Sequence, residues 1–376
     1  MTESRFGYVP ALDGLRAVAI VLVVGYHAIP GFTFGMTGVD VFFVLSGFLI
    51  TTLIAEQIQS GEFSRRRFYA RRAIRLVPAL VVTVFVFTPI GVAVITGEPT
   101  WLGAAAALLY LSPFVPITIF GHTWSLAVEE WFYLLWPLVL AKFFGDHLTL
   151  RQSAAVTGAA AVAGQVAMVA GPGNIVVRPS ALLAGTALGL WWLDGGRFRR
   201  PTLMLAIGLG LLLVSSFAGP TLYGPLPFWL AVSSGVATVG GIASGAGGLT
   251  RRVLETAPLV AVGVVSYEWY LVHAPALNIA DELWNVRSNV LVVPATLLLA
   301  FALHYALVPV QIRLRRRLDE PSAMSGSAGH ASAHPGDAAH EDDRDAPRDR
   351  DAETVHRPVD RRDEPVPAVD EAASES

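Results

Sequence analysis

Long apolar stretches alternate with short polar segments over the first 318 residues of the chain. Ten of them are candidate membrane spans: nine have the roughly 17–25 residues that a helix needs to cross a bilayer, and the sixth is shorter. A further apolar segment, 101–120, is interrupted by Pro113 and Pro116, which predicts a re-entrant or interfacial piece. The pattern predicts an all-α, polytopic membrane protein with about ten transmembrane helices. The predicted spans lie near residues 10–30, 38–58, 76–96, 124–143, 152–171, 180–194, 202–218, 226–245, 258–277 and 290–312.

Positive charge is distributed very unequally among the connecting segments. On alternate sides of the predicted spans, one side holds 17 Lys and Arg residues and the other holds only Arg178 and Arg287. Cytoplasmic loops are enriched in Lys and Arg, so the richer side is predicted to be cytoplasmic. An even number of spans then places both termini in the cytoplasm. The 17 residues are Arg65, Arg66, Arg67, Arg71, Arg72, Arg75, Lys142, Arg151, Arg197, Arg199, Arg200, Arg251, Arg252, Arg313, Arg315, Arg316 and Arg317.

Composition divides the chain into two parts. The whole chain is 53% hydrophobic and only 15% charged, against about 25% charged in soluble domains. Residues 319–376 hold 16 acidic and 6 basic side chains without apolar periodicity. They are predicted to form a disordered acidic cytoplasmic tail behind a transmembrane domain of residues 1–318, with a regulatory or docking tail as the alternative. The chain has no cysteine, which excludes disulfides and cysteine nucleophiles. No cleaved signal peptide is expected.

The first span carries ionisable residues, which are costly in a bilayer and therefore suggest function. Arg16 and His27 are 11 residues apart, which corresponds to three helical turns plus about 20° and a rise of roughly 16 Å. Both side chains should therefore lie on one face, with Arg16 nearer the cytoplasm. Asp13 lies three residues before Arg16 and can pair with it. The simpler alternatives are a helix-start role for Asp13 and snorkelling of Arg16 to the interface.

A second polar set is predicted at the outer ends of three spans. Asp40 begins the second span, where it could equally be a helix cap. Glu129 and Glu130 fall one to two turns inside the fourth span, and His273 lies near the outer end of the ninth. Adjacent carboxylates point about 100° apart, so at most one of the two glutamates is expected to face a given cavity while the other packs or pairs. The predicted outer cluster is His27, Asp40, Ser125, Glu129, Glu130 and His273.

Six arginines within residues 65–75 lie on the predicted cytoplasmic side, interleaved with Phe68 and Tyr69. Topology alone would explain four or five of them. Guanidinium groups bind phosphates bidentately and aromatic rings can stack on a purine, so a phosphorylated cytoplasmic ligand is predicted here.

Five segments together resemble the motifs of transmembrane acyltransferase family 3, and the resemblance runs from about Tyr8 to Arg317. Members of that family O-acylate bacterial surface polysaccharides, peptidoglycan, lipids or antibiotics, with ten core spans and a cytoplasmic acyl-CoA supply. The resemblance therefore implies an acyltransferase of the bacterial inner membrane that uses acyl-CoA, most simply acetyl-CoA, as donor and no permanently bound cofactor. The segments read YVPALDGLRAVAIVLVVGYHA, GVDVFFVLSGFLIT, RRFYARRAIRLVPAL, HTWSLAVEEWFYLLWPLVL and VGVVSYEWYLVHAP.

Residue roles follow from matching these motifs one by one. The family's arginine–histidine motif falls on Arg16 and His27, and His27 is expected to be the general base, oriented by Glu129 or Asp40. Arg16 would line the passage for the pantetheine arm. Ser125 has no dedicated base as a covalent relay. The expected acyl-CoA site is Arg67, Tyr69, Arg71, Arg72 and Arg75, and the expected acceptor site is Trp124, Ser125, Glu130 and His273.

Two departures and two alternatives accompany this interpretation. Glu268 follows Ser266-Tyr267 and Ala274 follows His273, where the family usually has Ser-Tyr-Ser and His-Trp-Pro. No hydrolase-like domain is expected after the spans, so any second acceptor-handling module would be a separate protein or unnecessary. A transporter or flippase of an acyl or sugar precursor is the main alternative, and a scaffold or sensor that signals through the tail is a third. No metal site or nucleic-acid partner is predicted, and the acceptor hydroxyl and the oligomeric state are not indicated.

Overall fold

A computed structural model describes residues 7–32, 35–116, 118–143, 147–170, 178–217, 224–284 and 291–319. Every regular element within these ranges is helical, which confirms the predicted all-α class. Arg287 and residues 320–376 lie outside the described residues, so the disordered tail stays a prediction. The α-helices are α1 Pro10–Ala28, α2 Gly38–Gln59, α3 Arg65–Val94, α4 Thr100–Leu108, α5 Trp124–Phe143, α6 Leu150–Ala167, α7 Ser180–Leu193, α8 Pro201–Phe217, α9 Leu226–Ala243, α10 Gly248–Leu254, α11 Ala257–Val264, α12 Ser266–Trp284 and α13 Val292–Asp319.

Five helical segments in the described part of the chain are long and apolar enough to cross a membrane. Two others, α7 and α8, are apolar but shorter. All ten predicted spans coincide with helices, and the count of ten crossings stays a prediction. The five segments are Pro10–Ala28, Gly35–Gln59 (which includes a 3₁₀ turn before α2), Arg65–Val94, Leu226–Ala243 and Val292–Asp319.

Local sequence explains several helix ends. Pro10 is the first residue of α1, where its missing N–H is not needed. The side chain of Ser64 accepts a hydrogen bond from the Arg67 backbone N–H and caps α3. Thr149 and Gln152 form a reciprocal capping box at the start of α6, which satisfies two otherwise unpaired N–H groups. The polar flanks thus determine where the apolar helices begin.

The ninth predicted span is two helices rather than one. Val265 leaves helical geometry (φ −93°, ψ 9°) between α11 and α12, so the predicted span over 258–277 is interrupted by a turn, and its single crossing of the membrane stays a prediction. At Gly263 an added Cβ would lie 1.9 Å from the Asp13 carbonyl oxygen, which shows how closely α11 packs against α1. The break allows α12 to begin with Ser266 and Tyr267, both of which line an internal cavity.

Helix α2 lies at the centre of the bundle, against α1, α5, α7 and α9. Two glycines bring α2 and α7 into close contact. A Cβ at Gly47 would lie 2.1 Å from the Leu182 carbonyl oxygen, and a Cβ at Gly185 would lie 2.0 Å from that of Val44. Small residues at helix contacts favour such packing in membranes. The tight contact supports α2, which lines the cavity with residues from Val39 to Leu53.

The apolar segment 101–120 forms α4 and a 3₁₀ turn over 112–114, and a second 3₁₀ turn over 121–123 leads into α5. Most described residues between 118 and 128 are buried. Helix α5 therefore begins inside the protein, although the sequence predicts that it begins at the outer surface. This difference moves the polar residues of α5 deeper than expected.

Candidate active site

A cavity of about 270 Å³ lies between α1, α2, α3, α5 and α12. Pockets that hold drug-sized ligands are commonly about 300–1,000 Å³, so this one suits a slender chain better than a bulky ring system. Its lining combines apolar side chains with a few charged and hydroxyl groups. The polar residues of the lining include Arg16, Arg72, Arg75, Ser125, Glu129 and Tyr270.

Arg72 is held by a carboxylate and an aromatic ring. Its Nη2 lies 2.7 Å from Glu130 Oε1, and its Nε lies 3.0 and 3.2 Å from the two carboxylate oxygens. The guanidinium also lies 3.2 Å from the ring centroid of Tyr133. Such bidentate contacts are among the strongest hydrogen bonds in proteins. Glu130 thus belongs with the arginines, so the prediction that it lies in the outer cluster is wrong, because α5 begins inside the protein.

The other two arginines of the cavity differ in whether they are paired. Arg16 forms the predicted ion pair with Asp13, at 2.6 Å between Nη1 and Oδ1. Arg75 is exposed and lines the cavity, and it forms no ion pair with any residue in the described ranges. Glu129 also lines the cavity and accepts a long hydrogen bond of 3.4 Å from the Tyr133 hydroxyl. Arg75 is therefore the guanidinium most available to an anionic ligand at this cavity.

Two hydroxyl groups, those of Ser125 and Tyr270, also line the cavity. The Tyr270 hydroxyl donates to the His122 carbonyl oxygen. A carbonyl oxygen can only accept, so the 2.7 Å contact between Ser125 Oγ and the Tyr270 oxygen must use the Ser125 proton. The Ser125 proton is thus directed at a tyrosine oxygen rather than at a base. This arrangement gives a covalent acyl–serine step no support.

Three histidines lie directly behind these hydroxyl groups. His273 Nε2 lies 3.3 Å from His27 Nδ1. The rings of His27 and His122 have centroids 4.9 and 5.3 Å from that of His273, and the Tyr270 ring is 5.7 Å from it. His122 and His273 are buried, whereas His27 is exposed at the end of α1. The trio of His27, His122 and His273 is named the histidine cluster here.

The histidine cluster forms without a carboxylate. Among the described residues, the polar contacts of His27 are with His273 and the Val23 carbonyl oxygen. Asp40 is fully buried and instead faces Arg178, at 3.4 Å between Oδ2 and Nη1. The predicted outer cluster therefore brings His27 and His273 together but separates Asp40 from them. Nor is any group of three acidic or histidine side chains in these ranges arranged to hold a metal ion.

Four further residues predicted for ligand binding lie away from the cavity lining. Arg71 pairs with Asp319 at the surface, at 2.8 Å, and Arg67 is exposed in the first turn of α3. Tyr69 donates to the Leu134 carbonyl oxygen. The Trp124 ring packs edge-on against Phe43. Their predicted roles therefore depend on a ligand that extends beyond the cavity.

Sequence reasoning missed three residues of this region. His122 lies two positions before Trp124 in the quoted HTWSL motif, and Tyr270 lies one turn before His273 on α12. The i, i+3 spacing of Tyr270 and His273 could have indicated a shared face. Tyr133, whose ring stacks on Arg72, follows Glu129 at i+4, and this spacing also indicates a shared helix face.

The bundle and its charged internal cavity define a multi-pass helical membrane protein with a buried polar site. Residues 9–308 match the family model described as "Acyltransferase domain". The chain belongs to this acyltransferase family, and the resemblance seen in the motifs is confirmed.

Two characterised relatives illustrate the similarity. The chain is 30% identical over 339 residues to peptidoglycan O-acetyltransferase OatA of Listeria monocytogenes, covering 78% of this chain and 54% of the relative. It is 30% identical over 306 residues to O-acetyltransferase OatA of Staphylococcus aureus, covering 72% and 51%. The chain thus spans about half the length of the curated relatives it matches. No solved structure matches it.

Proposed function

We propose that this protein transfers an acyl group, most simply acetyl, from cytoplasmic acyl-CoA to a hydroxyl of a cell-envelope glycan. One observation carries the proposal. A single cavity has an available arginine, Arg75, in its lining, and Ser125 and Tyr270 also line it, with Tyr270 packed on the histidine cluster. A phosphate-binding group thus lines the cavity, and the histidine cluster that supplies the proton-accepting group lies directly behind Tyr270 of its lining.

The donor would enter from the arginine side. The cavity of about 270 Å³ suits the acyl-pantetheine arm, while the nucleotide stays outside. Arg75 and Arg16 would meet the diphosphate at the cavity, because guanidinium groups bind phosphate oxygens bidentately. Arg72 is committed to Glu130 and would contribute mainly charge. The exposed Arg67 and Arg71 and the half-buried Tyr69, all on the first turns of α3, would contact the nucleotide end.

The chemistry needs one base and one leaving group. His27 Nε2 accepts the proton of the acceptor hydroxyl, and the oxygen attacks the thioester carbonyl carbon. The new C–O ester bond forms as the C–S bond breaks, and CoA leaves as the thiolate and takes up a proton. His27 is exposed, so an acceptor on that side can reach it. Trp124, Glu130 and His273 were expected at the acceptor, and their contacts with Phe43, Arg72 and His27 favour supporting positions instead.

Orientation and acceptor follow from two further arguments. The excess of positive charge on one side, 17 residues against 2, supports cytoplasmic termini and a bacterial inner-membrane location. The name of the Listeria relative specifies peptidoglycan, so peptidoglycan glycan strands are the first acceptor to examine. Glycolipids and exported metabolites with hydroxyl groups are the next.

The test compares cell envelopes with and without the protein by mass spectrometry. We expect an alkali-labile acetyl group on the glycan of expressing cells and none in cells that carry His27→Ala at equal membrane abundance. Purified protein in nanodiscs should also consume acetyl-CoA only when a glycan fragment is present. Unchanged envelopes together with intact acetyl-CoA would refute the proposal and favour a transporter.

A further inference from the structure

The closest contact within the histidine cluster joins two ring nitrogens. His273 Nε2 and His27 Nδ1 are 3.3 Å apart, which is a hydrogen-bonding contact only if one nitrogen carries a proton and the other has a lone pair. The backbone around each ring determines which is which.

His273 has its protonation fixed by two carbonyl groups. Its Nδ1 lies 2.7 Å from the Tyr270 oxygen and 3.1 Å from the Trp269 oxygen. Carbonyl oxygens only accept, so Nδ1 must carry a proton. The ring is fully buried, and no ion pair involves it within the described ranges, so the neutral form is the one that burial permits. Its Nε2 therefore presents a lone pair to His27.

His27 obeys the same argument at its own Nδ1. That nitrogen lies 2.9 Å from the Val23 carbonyl oxygen, so it also carries a proton. The proton is shared between Val23 and the Nε2 lone pair of His273. The remaining nitrogen of His27, Nε2, is then unprotonated in the neutral ring. This is the atom to which the proposed reaction assigns the role of base.

We propose that His273 is a positioning residue that accepts the Nδ1–H hydrogen bond of His27. It fixes the ring of an exposed side chain and continues to accept that proton after His27 has become an imidazolium. In hydrolytic triads a carboxylate holds the base in this way. Here the neutral imidazole of His273 takes the place of that carboxylate. The hydrogen bond stands on geometry alone, and its effect on catalysis rests on the proposed function.

The surroundings of His273 suit a positioning role better than substrate binding. The residue is fully buried and does not line the cavity. The rings of Tyr270 and His122 pack against it, so it has little freedom to turn. Any influence on the reacting atoms must therefore pass through His27.

Two substitutions of His273 test the two ring nitrogens separately, because each places a polar atom near only one of them. His273→Gln can place an accepting oxygen near the Nε2 position, whereas His273→Asn reaches only the Nδ1 position. Misplacing a catalytic group commonly costs up to about 100-fold in rate. We expect His273→Asn to lower kcat about 10- to 100-fold with the KM for acetyl-CoA within about two-fold. His273→Gln should stay within about five-fold of the wild type in kcat.

His304→Ala is the matched control. His304 Nδ1 contacts the buried carboxylate of Glu268 at 3.0 Å between α13 and α12, away from His27 and the cavity lining. This variant should lose thermal stability in detergent but keep kcat per folded protein. A purely structural role for His273 predicts that His273→Asn behaves in the same way, or that Gln and Asn are equally impaired. Either result would overturn the proposal.

A second readout does not depend on activity. ¹⁵N spectra of histidine-labelled protein in nanodiscs distinguish protonated from unprotonated ring nitrogens, and the His273 signals are those lost in His273→Asn. We expect a protonated Nδ1 and an unprotonated Nε2, and a protonated Nε2 would refute the hydrogen bond. If the wild type transfers no acetyl group, the proposed function fails, and the spectrum still decides whether His273 accepts from His27.

Discussion

The two ends of the segment of α1 between Arg16 and His27 have different surroundings. At Arg16 the surroundings are charged: one guanidinium is paired with Asp13, another with Glu130, and Arg75 is available to an anion. At His27 the partners are neutral: a backbone carbonyl and the His273 ring. The ends are 11 residues apart, or roughly 16 Å along a helix. One helix thus carries an end suited to holding phosphate charge and an end suited to moving a proton.

The largest expected effect tests whether the neutral end truly works without a carboxylate. Asp40→Asn leaves Arg178 as an unpaired buried cation, and breaking such a pair commonly costs about 3–5 kcal/mol of stability. We expect a strongly reduced yield and melting temperature in detergent. Asp40→Asn with Arg178→Gln removes both charges and should recover much of the yield.

The activity of that double variant is the informative measurement. If Asp40 serves only Arg178, kcat per folded molecule stays within about five-fold of the wild type, since the reaction loses no group. A drop of about 100-fold or more in the folded double variant would return Asp40 to the catalytic machinery.

The second effect concerns the charged end. Arg75→Ala removes the guanidinium that is available at the cavity, and a hydrogen bond to a charged group contributes about 1.5–3 kcal/mol. We therefore expect the KM for acetyl-CoA to rise at least tenfold. Arg251→Ala is the matched control, because Arg251 pairs with Glu255 on α10 outside the cavity and has no assigned contact with the donor. Equal effects of the two substitutions would show that the cavity does not define the donor site.

The third effect concerns the packing of α2 against α7, away from Arg16 and His27. It measures the stability that is lost when the bundle alone is disturbed. Gly47→Ala places a Cβ 2.1 Å from the Leu182 carbonyl oxygen, so α2 and α7 must separate slightly. Overpacking of this kind typically costs about 1–3 kcal/mol. Thermal unfolding in nanodiscs should show the loss, with kcat per folded molecule unchanged. A large change in kcat would mean that the cavity depends on this helix contact more than the account allows.

The smallest effect is expected at Ser125, which lines the cavity and contacts Tyr270 beside the histidine cluster. Ser125→Ala removes a hydroxyl whose proton points at Tyr270, which costs about 0.5–1.5 kcal/mol and less than about tenfold in rate. Trapping with labelled acetyl-CoA should find no acyl–enzyme in the wild type. A covalent acyl–serine, or the abolition of transfer, would contradict this account.

Local spacing predicted what one helix can determine. The limits of α1, the Asp13–Arg16 pair and the separation of Arg16 from His27 all follow from the period of a single helix. The pairs that define the site do not. Arg72 and Glu130 are 58 residues apart, and His27 and His273 are 246 apart. Periodicity carries no information on such partners. Because the sequence predicts that α5 begins at the surface, it also places the carboxylates of α5 at the wrong end of the site.

The broken ninth span is a second instance of that limit. A continuous apolar run from 258 to 277 predicts one helix, since hydropathy does not register the turn at Val265. Packing of α11 on α1 through Gly263 is a tertiary contact. The consequence is functional, because the turn brings Ser266 and Tyr267 to the cavity.

The central claim is that His27 takes the proton of an acceptor while acetyl-CoA is held at the arginine end. Because the chain has no cysteine, a thiol reagent added to purified protein in nanodiscs reports only the CoA released. With acetyl-CoA and a peptidoglycan glycan fragment, the wild type should release CoA and acetylate the fragment in equal amounts. His27→Ala should lower both by about 100- to 10,000-fold at unchanged thermal stability. Full release by the folded variant, or none by the wild type, would contradict the claim.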